Sequence, residues 1–252
     1  MIRTTRSTTL RMTGDIWHRN GRQQLLPSSA FQIADHHLHA SGLIEHTGED
    51  EGRLYKHDWF CVSQAADCFP VDGLLQKAME NVHSNIFVLQ VGTSSIQFGN
   101  TLTLNSELLA TTRRVFCRKK DTTGTLDPFT KEEKTRFLEF CPTPSEPKLP
   151  ELERYAILST ATITSGATSS ILSVRVGPQH INFGNHADHA FLAEVAHHAL
   201  SLVHKERDGL TINYISETFI GDTLECFFYE NTIYVTRMAE ENGESMLVLI
   251  AK

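Results

Sequence analysis

The chain has 252 residues, of which 23 are Lys or Arg and 30 are Asp or Glu, so its formal net charge is −7. This acidic balance, without a long basic stretch, argues against generic binding to nucleic acid, which depends on neutralising phosphates. The composition is that of a globular protein, and the longest apolar run, Met246–Ala251, is far shorter than the roughly 20 residues that a membrane-spanning helix needs.

The N-terminal stretch has two interpretations. Residues 1–30 contain five arginines and a single acidic residue, Asp15, and are rich in Ser and Thr, as mitochondrial or plastid import sequences often are. The partly alternating segment from Thr8 to Trp17 equally fits an edge strand. The five cysteines show no C-x-x-C spacing, which indicates a reducing compartment such as the cytoplasm.

The first half of the chain predicts one strand, one helix and then a strand meander. Residues 53–62 predict a strand, and Val71 to Val82 have apolar residues at helical spacing, which predicts a helix. Three strands are expected next, separated by glycine and polar turns, at residues 86–91, 102–109 and 113–118.

A proline-rich connector divides the chain near its middle. Five of the eight prolines fall between Pro128 and Pro150. Within this stretch Thr130-Lys-Glu-Glu133 has the capping-box pattern and predicts a short helix. We therefore expect an N-terminal extension and first domain over 1–125, a linker with a short helix over 126–152, and a second domain over 153–252.

The second half repeats the order of the first. Short similar segments support the repeat. Phe98-Gly-Asn-Thr-Leu-Thr103 is similar to Ile220-Gly-Asp-Thr-Leu-Glu225, at an offset of 122 residues. With a similar offset, Asp67 aligns roughly with Asn182. One helix lying on a curved antiparallel sheet, present twice, is the predicted α+β architecture. The second-half elements are a strand at 170–176, a helix at 187–203, and strands at 210–215, 224–229, 232–238 and 245–251.

The residues that open the second helix are Asn182-Phe-Gly-Asn-His-Ala-Asp-His189. With the repeated element order, they resemble the hot-dog thioesterases, including the tandem acyl-ACP thioesterases, whose pattern is Asp-x-Asn-Gly/Gln-His-Val-Asn-Asn. His186 matches the family His, whereas Asn182 stands in place of Asp and Gly184 in place of Asn. The resemblance implies a tandem (double) hot-dog fold and hydrolysis of a fatty acyl-CoA or acyl-ACP without a cofactor.

Two other functions stay open. The stretch Cys68-Phe-Pro-Val-Asp-Gly-Leu-Leu75 is similar to a motif of hot-dog dehydratases, but Cys68 replaces their catalytic His and Ala78 replaces their acid. Because an amide such as that of Asn182 cannot act as a carboxylate base, a non-catalytic acyl-thioester-binding or scaffold protein is the other alternative.

The expected chemistry centres on the start of the second helix, a ready site for an oxyanion. His186 would act as base or donor, and Asn182 and Asn185 would orient water or the carbonyl. The carboxylate would come from Asp67, the first choice, or Asp72 in the first repeat, or locally from Asp188, in one composite site. The simpler alternative is that Asn182, Asn185 and Asp188 are turn and N-cap residues. Leu74, Leu75 and Met79 would line the acyl channel or belong to the core.

Substrate binding is assigned to Gly184 and to a basic strand. Residues 113–120 contain five positive charges, and Arg113, Arg114, Arg118 and Lys119 would hold the phosphates of coenzyme A or the acidic surface of a carrier protein. A solvated strand face is the alternative. The histidines fall in groups too far apart for one metal, so no metal site is expected. A homodimer of tandems is left open.

Overall fold

A computed structural model describes most of the chain, in two compact units, residues 1–152 and 153–252. No described helix has the length and apolar character needed to cross a bilayer. The described residues are 7–11, 16–19, 22–43, 57–74, 81–120, 125–140, 148–167, 169–181, 186–203, 209–238 and 245–252.

Unit 1 is an antiparallel sheet with one long helix. Its sheet has the strand order β1-β5-β6-β7-β4, and β2 and β3 form a separate hairpin. Residues Asn105 and Ser106, with φ of 50° and 68°, join β6 to β7 in a tight turn. The elements are β1 Ser7–Arg11, β2 Ile16–Arg19, β3 Arg22–Leu25, α1 Pro27–Ala40, β4 His57–Cys68, β5 Asn81–Val91, β6 Ser95–Leu104, β7 Glu107–Lys120 and α2 Lys131–Leu138.

The helix of unit 1 is not where the sequence predicts it. Val71 to Leu74 form an isolated bridge and a turn, and Val82 already belongs to β5; residues 75–80, with Leu75 and Met79, lie outside the described residues. The long helix is α1, within and just after the supposed N-terminal extension. The predicted strand 102–109 is also wrong, because it crosses the Asn105–Ser106 turn.

Unit 2 has the same order of elements as unit 1. Its sheet order, β8-β10-β11-β12-β9, matches β1-β5-β6-β7-β4 strand for strand, with α4 in the place of α1. The predicted strands and helix of this half agree with the structure to within two residues, and the structure adds α3 and a short 3₁₀ helix. The elements are α3 Thr160–Gly166, β8 Ser170–Arg175, a 3₁₀ helix Pro178–His180, α4 His189–Val203, β9 Gly209–Tyr214, β10 Thr223–Tyr229, β11 Thr232–Met238 and β12 Ser245–Ala251.

The matching strand orders correct the offset of 122 residues that the two similar segments indicate. Gly99 lies inside β6, whereas Gly221 lies in the turn before β10, the counterpart of β5. The two segments are therefore similar in sequence but occupy different places in their units. Asp67 likewise lies on β4, after the helix of its unit, while residue 182 precedes α4.

A row of polar side chains crosses the core of unit 1 between α1 and the sheet. His37 Nδ1 lies 2.8 Å from Ser84 Oγ, Asn100 Nδ2 donates to Ser84 Oγ over 3.5 Å, and Arg114 Nη2 donates to Asn100 Oδ1 over 3.5 Å. Arg114 also forms an ion pair with Asp35 of α1. We call these five residues the polar belt; four of them are buried, and the Asp35 side chain is 15% exposed.

The polar belt separates two apolar clusters. On β5 it lies between Val82 and Ile86, and on β6 between Leu102 and Phe98. Leu74 is fully buried in the first of these clusters, as an ordinary core residue would be.

The proline-rich connector packs as part of unit 1. Thr130 and Glu133 make the predicted capping box at α2, which confirms that prediction. Arg118 of β7 donates to Glu133 and to the carbonyl of Pro128 and pairs with Asp127 at 3.0 Å. Three aromatic side chains of the same segment pack in the second apolar cluster, namely Phe129, Phe137 and Phe140.

Candidate active site

Three chain segments meet where α4 begins. The 3₁₀ helix leads to Ile181, which bridges to Ala187 across residues 182–185. Ala187 N donates to the carbonyl of Thr218 over 2.7 Å, and Asp188 N donates to the carbonyl of His180 over 2.8 Å. The start of α4 is thus held from one side by the segment after β8 and from the other by the segment after β9.

Asp188 has the role of a helix cap. Its Oδ1 accepts a hydrogen bond from Ala190 N over 2.7 Å, and its carbonyl accepts from Leu192 N over 3.0 Å. An Asp at this place satisfies a free N–H of the first turn and complements the positive end of the helix dipole. This geometry favours the capping interpretation of Asp188 over a role as general base.

His186 lies just before the bridge and is half-buried. The other three residues predicted around it, Asn182, Gly184 and Asn185, lie outside the described residues. The structure therefore places His186 beside the N-terminus of α4, as the sequence predicts, and leaves the roles of the other three as predictions.

Glu217 is a carboxylate that the sequence reasoning missed. It is half-buried and precedes Thr218, whose carbonyl binds the residue next to His186. At the end of β9, Ile215 N and Ser216 N both donate to the carbonyl of Val248, which ends the regular ladder just before Glu217. A sequence signal exists, because Glu217 lies four residues before Gly221, within a few residues of the Ile220–Glu225 segment that indicates the repeat.

Asp67 lies in unit 1, near the C-terminal end of β4 and opposite Thr111 of β7. Its alignment with Asn182 is wrong, since the two occupy different places in the order of elements. The place that corresponds to the end of β4 in unit 2 is the end of β9, where Glu217 follows. Neighbouring Cys68 is buried in the apolar core with Val71.

The basic strand β7 is not a free cationic surface. Arg114 is fully buried and paired with Asp35, and Arg118 is 3% exposed and bound to the connector. These two side chains already have carboxylate partners inside unit 1, so their prediction as phosphate ligands is wrong. Arg113 is half-buried and donates to Gln97 over 3.1 Å, and Lys119 Nζ lies 3.8 Å from the ring centre of Phe60.

His180 fixes the segment that leads to His186. Its Nδ1 accepts a hydrogen bond from Gly177 N over 3.0 Å, and its ring stacks on Phe191 of α4 at 3.9 Å with an interplanar angle of 6°. Together with the bond from Asp188 N to its carbonyl, these contacts join the 3₁₀ helix to the first turn of α4. No sequence motif marks His180 as a site residue.

No protein-family model matches the sequence, and no curated protein matches it. Among solved structures, the chain is similar to an acyl-ACP thioesterase from Bacteroides thetaiotaomicron, with 14% identity, 97% of this chain and 95% of that chain covered, and a TM-score of 0.68. It is also similar to the 12:0-ACP thioesterase from Umbellularia californica, with 10% identity, 98% and 95% covered, and a TM-score of 0.67. These likenesses confirm the α+β hot-dog fold.

Proposed function

We propose that the protein hydrolyses fatty acyl thioesters of coenzyme A or of an acyl carrier protein. The observation that carries the proposal is the meeting of a helix N-terminus, a half-buried His186 and the Glu217–Thr218 segment at one point. The names of the two similar proteins, an acyl-ACP thioesterase and a 12:0-ACP thioesterase, support the same reaction.

The proposed mechanism uses the positive end of the α4 dipole to polarise the thioester carbonyl. His186 takes a proton from water as the water oxygen attacks the carbonyl carbon. The C–S bond then breaks, and the leaving thiolate receives that proton, so the products are a free acid and a thiol. Asn182 and Asn185 would orient the water or the carbonyl through their amides, and Gly184 would bind the substrate.

A carboxylate would orient His186 and stabilise its charged form. Glu217 is our first candidate, because its neighbour Thr218 is hydrogen-bonded to the neighbour of His186. Asp67 remains the candidate from unit 1 for a composite site. If Glu217 has this role, Glu217→Gln lowers turnover and Asp67→Asn leaves it unchanged; the opposite pattern would assign the role to Asp67.

We further propose that the chain is a tandem of two hot-dog units with one active site, at the start of α4. The support is the identical strand order of the two units around α1 and α4. A homodimer of such tandems stays a prediction, and the mass of the full chain in solution tests it. Titration with a non-hydrolysable acyl-CoA analogue tests the single site, because two equal sites per chain would contradict it.

A non-catalytic acyl-binding protein is the second candidate, favoured by the amide at Asn182 where the family has a carboxylate. An inactive parent that binds acyl-CoA, together with a large gain of hydrolysis in Asn182→Asp, would support it. Dehydratase chemistry has less support, since Cys68, which replaces the catalytic His of that family, is 1% exposed in the apolar core.

The test of hydrolysis is the release of thiol from acyl-CoA and acyl-ACP, followed with a thiol reagent. We expect His186→Ala to reduce turnover by at least about tenfold, the scale of a lost general base. His198→Ala, an exposed histidine on the same helix, is the matched control and should leave turnover unchanged. Full activity in His186→Ala would refute the assignment.

A further inference from the structure

Strand β9 ends in an irregular hydrogen-bond pattern against β12. In the regular part of the ladder Tyr214 lies opposite Leu249. Just beyond it, Ile215 N and Ser216 N both donate to the carbonyl of Val248, over 2.7 and 3.2 Å. Two successive residues thus oppose one residue of β12, which is the arrangement of a β-bulge. A bulge bends its strand and changes the direction of the side chains around it, and bulges are over-represented next to active sites.

The side chain of Ser216 holds this bulge in place. Its Oγ donates to the carbonyl of Leu247 over 2.7 Å, while its N–H donates to the carbonyl of Val248. Ser216 is half-buried, and a hydrogen bond that is partly removed from water is electrostatically stronger. The residue directly before Glu217 is therefore bound to β12 through both its main chain and its side chain.

The residue directly after Glu217 is bound to the start of α4. The carbonyl of Thr218 accepts from Ala187 N over 2.7 Å, and Ala187 is the neighbour of His186. Glu217 thus lies between two attachment points, one on β12 and one beside the proposed base. The position of its main chain relative to His186 depends on both of them.

A further attachment point lies at the turn before β10. Phe219 N and Arg237 Nη1 both donate to Asp222 Oδ2 over 2.9 Å. Asp222 is 4% exposed, and its replacement would leave the guanidinium of Arg237 without this carboxylate, so a loss of stability would accompany any loss of activity. Ser216 is uncharged and adjoins Glu217, so its role can be tested with less change to the rest of the unit.

We infer that Ser216 is a positioning residue of the proposed thioesterase, which holds the end of β9 on β12 and thereby fixes the direction in which Glu217 is presented to His186. The inference rests on the proposed function and deepens it, because it adds a residue to the site built around His186 and Glu217. In this role Ser216 acts through Glu217 and takes no part in the bond changes.

The experiment is a double-mutant cycle on Ser216 and Glu217, measured as thiol release from the acyl-CoA that the parent hydrolyses fastest. Ser216→Ala should lower kcat by about tenfold and leave KM within about twofold of the parent, because a catalytic group is displaced while substrate binding is kept. In the Glu217→Gln background, which has no carboxylate to position, Ser216→Ala should lower kcat no further. Ser216→Thr keeps the hydroxyl and should retain most of the turnover.

Ser170→Ala is the matched control. Ser170 is another half-buried strand serine of unit 2, and its Oγ also donates to carbonyls, those of Leu172 over 3.0 Å and Cys226 over 3.4 Å. It lies on β8, at the other end of the unit's strand order from β9. This variant should keep the kcat and KM of the parent, and circular dichroism of both serine variants checks that each keeps the fold.

The outcomes separate the inference from the proposed function. A Ser216→Ala variant with the parent's kcat, or one whose kcat falls by the same factor with and without the carboxylate of Glu217, would overturn the inference while hydrolysis stands. Unchanged turnover in Glu217→Gln would overturn it as well. If Ser216→Ala does not fold, Ser216→Thr and Ser216→Val make the same comparison between side chains of equal shape. A parent that hydrolyses no acyl thioester would refute the proposed function, and the inference with it.

Discussion

Helices α1 and α4 occupy the same place in the order of their units, yet their starts and buried faces differ. The buried face of α1 includes Ser28, Ser29 and His37, whereas the buried residues of α4 are all Ala, Leu or Val. The start of α4 is capped by Asp188, while α1 begins at Pro27 after Leu26 with no side-chain cap. One topology therefore accepts a polar interior in one unit and an apolar interior in the other.

The difference suggests how the two units divide their tasks. Unit 1 has a buried ion pair between its helix and its sheet. Neither partner can be replaced alone without leaving the other charge unpaired, which restricts the substitutions that this unit tolerates there. Unit 2 has a polar helix start with His186 before it, the arrangement that acyl transfer needs. This asymmetry fits the proposal of a single active site at α4.

The largest expected effect comes from removing the cation of the polar belt, which is the feature that distinguishes the interior of unit 1 from that of unit 2. Arg114→Met leaves the carboxylate of Asp35 and the amide of Asn100 without their partner, so we expect the free energy of unfolding to fall by about 3–5 kcal/mol. Urea unfolding measures the change. The neighbouring half-buried arginine provides the control, and Arg113→Met should cost much less.

The double variant Asp35→Leu, Arg114→Met then asks whether unit 1 can have an apolar interior like that of unit 2. Replacing both charges by apolar groups avoids an unpaired buried charge, so most of the lost stability should return. A double variant as unstable as Arg114→Met alone would show that the belt does more than neutralise charge.

A second test sharpens the contrast between the histidines of the two helices. Partial burial, and then the neighbouring His198, lower the pKa of His197 of α4 to about 4. A histidine whose pKa is lowered by folding costs no stability above its ordinary pKa. Stability is then lost as the pH falls from about 6.5 toward the folded value, because the unfolded chain takes up the proton first.

We therefore expect the free energy of unfolding to be about 1.4 kcal/mol lower at a pH of about 5.5, one unit below the ordinary pKa of histidine, because of His197. Thermal unfolding of the parent and of His197→Phe across this range checks the prediction, since the variant should lack this part of the pH dependence. His36→Gln, which changes an exposed histidine of α1, should behave like the parent.

The smallest expected effect compares the caps of the short helices α2 and α3. Burial alone would raise the pKa of Glu133 in α2, but its hydrogen bonds from Arg118 and Thr130 hold the pKa below its usual value. Such a carboxylate stabilises the fold above its unfolded pKa, and this stabilisation is lost as the pH falls through the folded pKa. In α3, Ser159 accepts from Thr162 N and no titrating group takes part in that bond.

Glu133→Gln should thus cost about 1 kcal/mol at neutral pH, and this cost should shrink as the pH falls below the usual carboxyl pKa and through the lowered pKa of the folded state, as judged by denaturant unfolding across the acidic range. Glu132→Gln is the matched control, because Glu132 is exposed in the same helical turn. A loss of stability in Glu133→Gln that persists at low pH would point to packing rather than charge.

The sequence predicts unit 2 better than unit 1 for a physical reason. Helix α4 has buried Ala, Leu and Val at regular spacing, so periodicity finds it. Helix α1 contains Asp35-His-His-Leu-His39, and polar residues that the belt buries cannot be told from solvated ones in the sequence. The apolar spacing of Val71–Val82 predicts a helix there, whereas the structure has a bridge and a turn over Val71–Leu74.

The candidate site shows a similar limit. His186 and the start of α4 follow from a local motif, which can be read from the sequence. Glu217 and His180 join the site through hydrogen bonds between segments distant in the chain, such as that from Ala187 N to the carbonyl of Thr218. The positive charges of residues 113–120 also predict that Arg114 and Arg118 bind phosphate, because a run of basic residues in the sequence does not reveal the carboxylates with which they pair.

The packing of the connector on unit 1 decides where the chain can be divided. Arg118 finds its partners in Asp127, Pro128 and Glu133, and Phe137 is 1% exposed. A protease cut or a gene split placed before Asp127 would strip a buried cation of its partners and uncover aromatic surface. A split after Leu152 would keep them together, so this is the position at which to divide the chain when the two units are to be expressed separately.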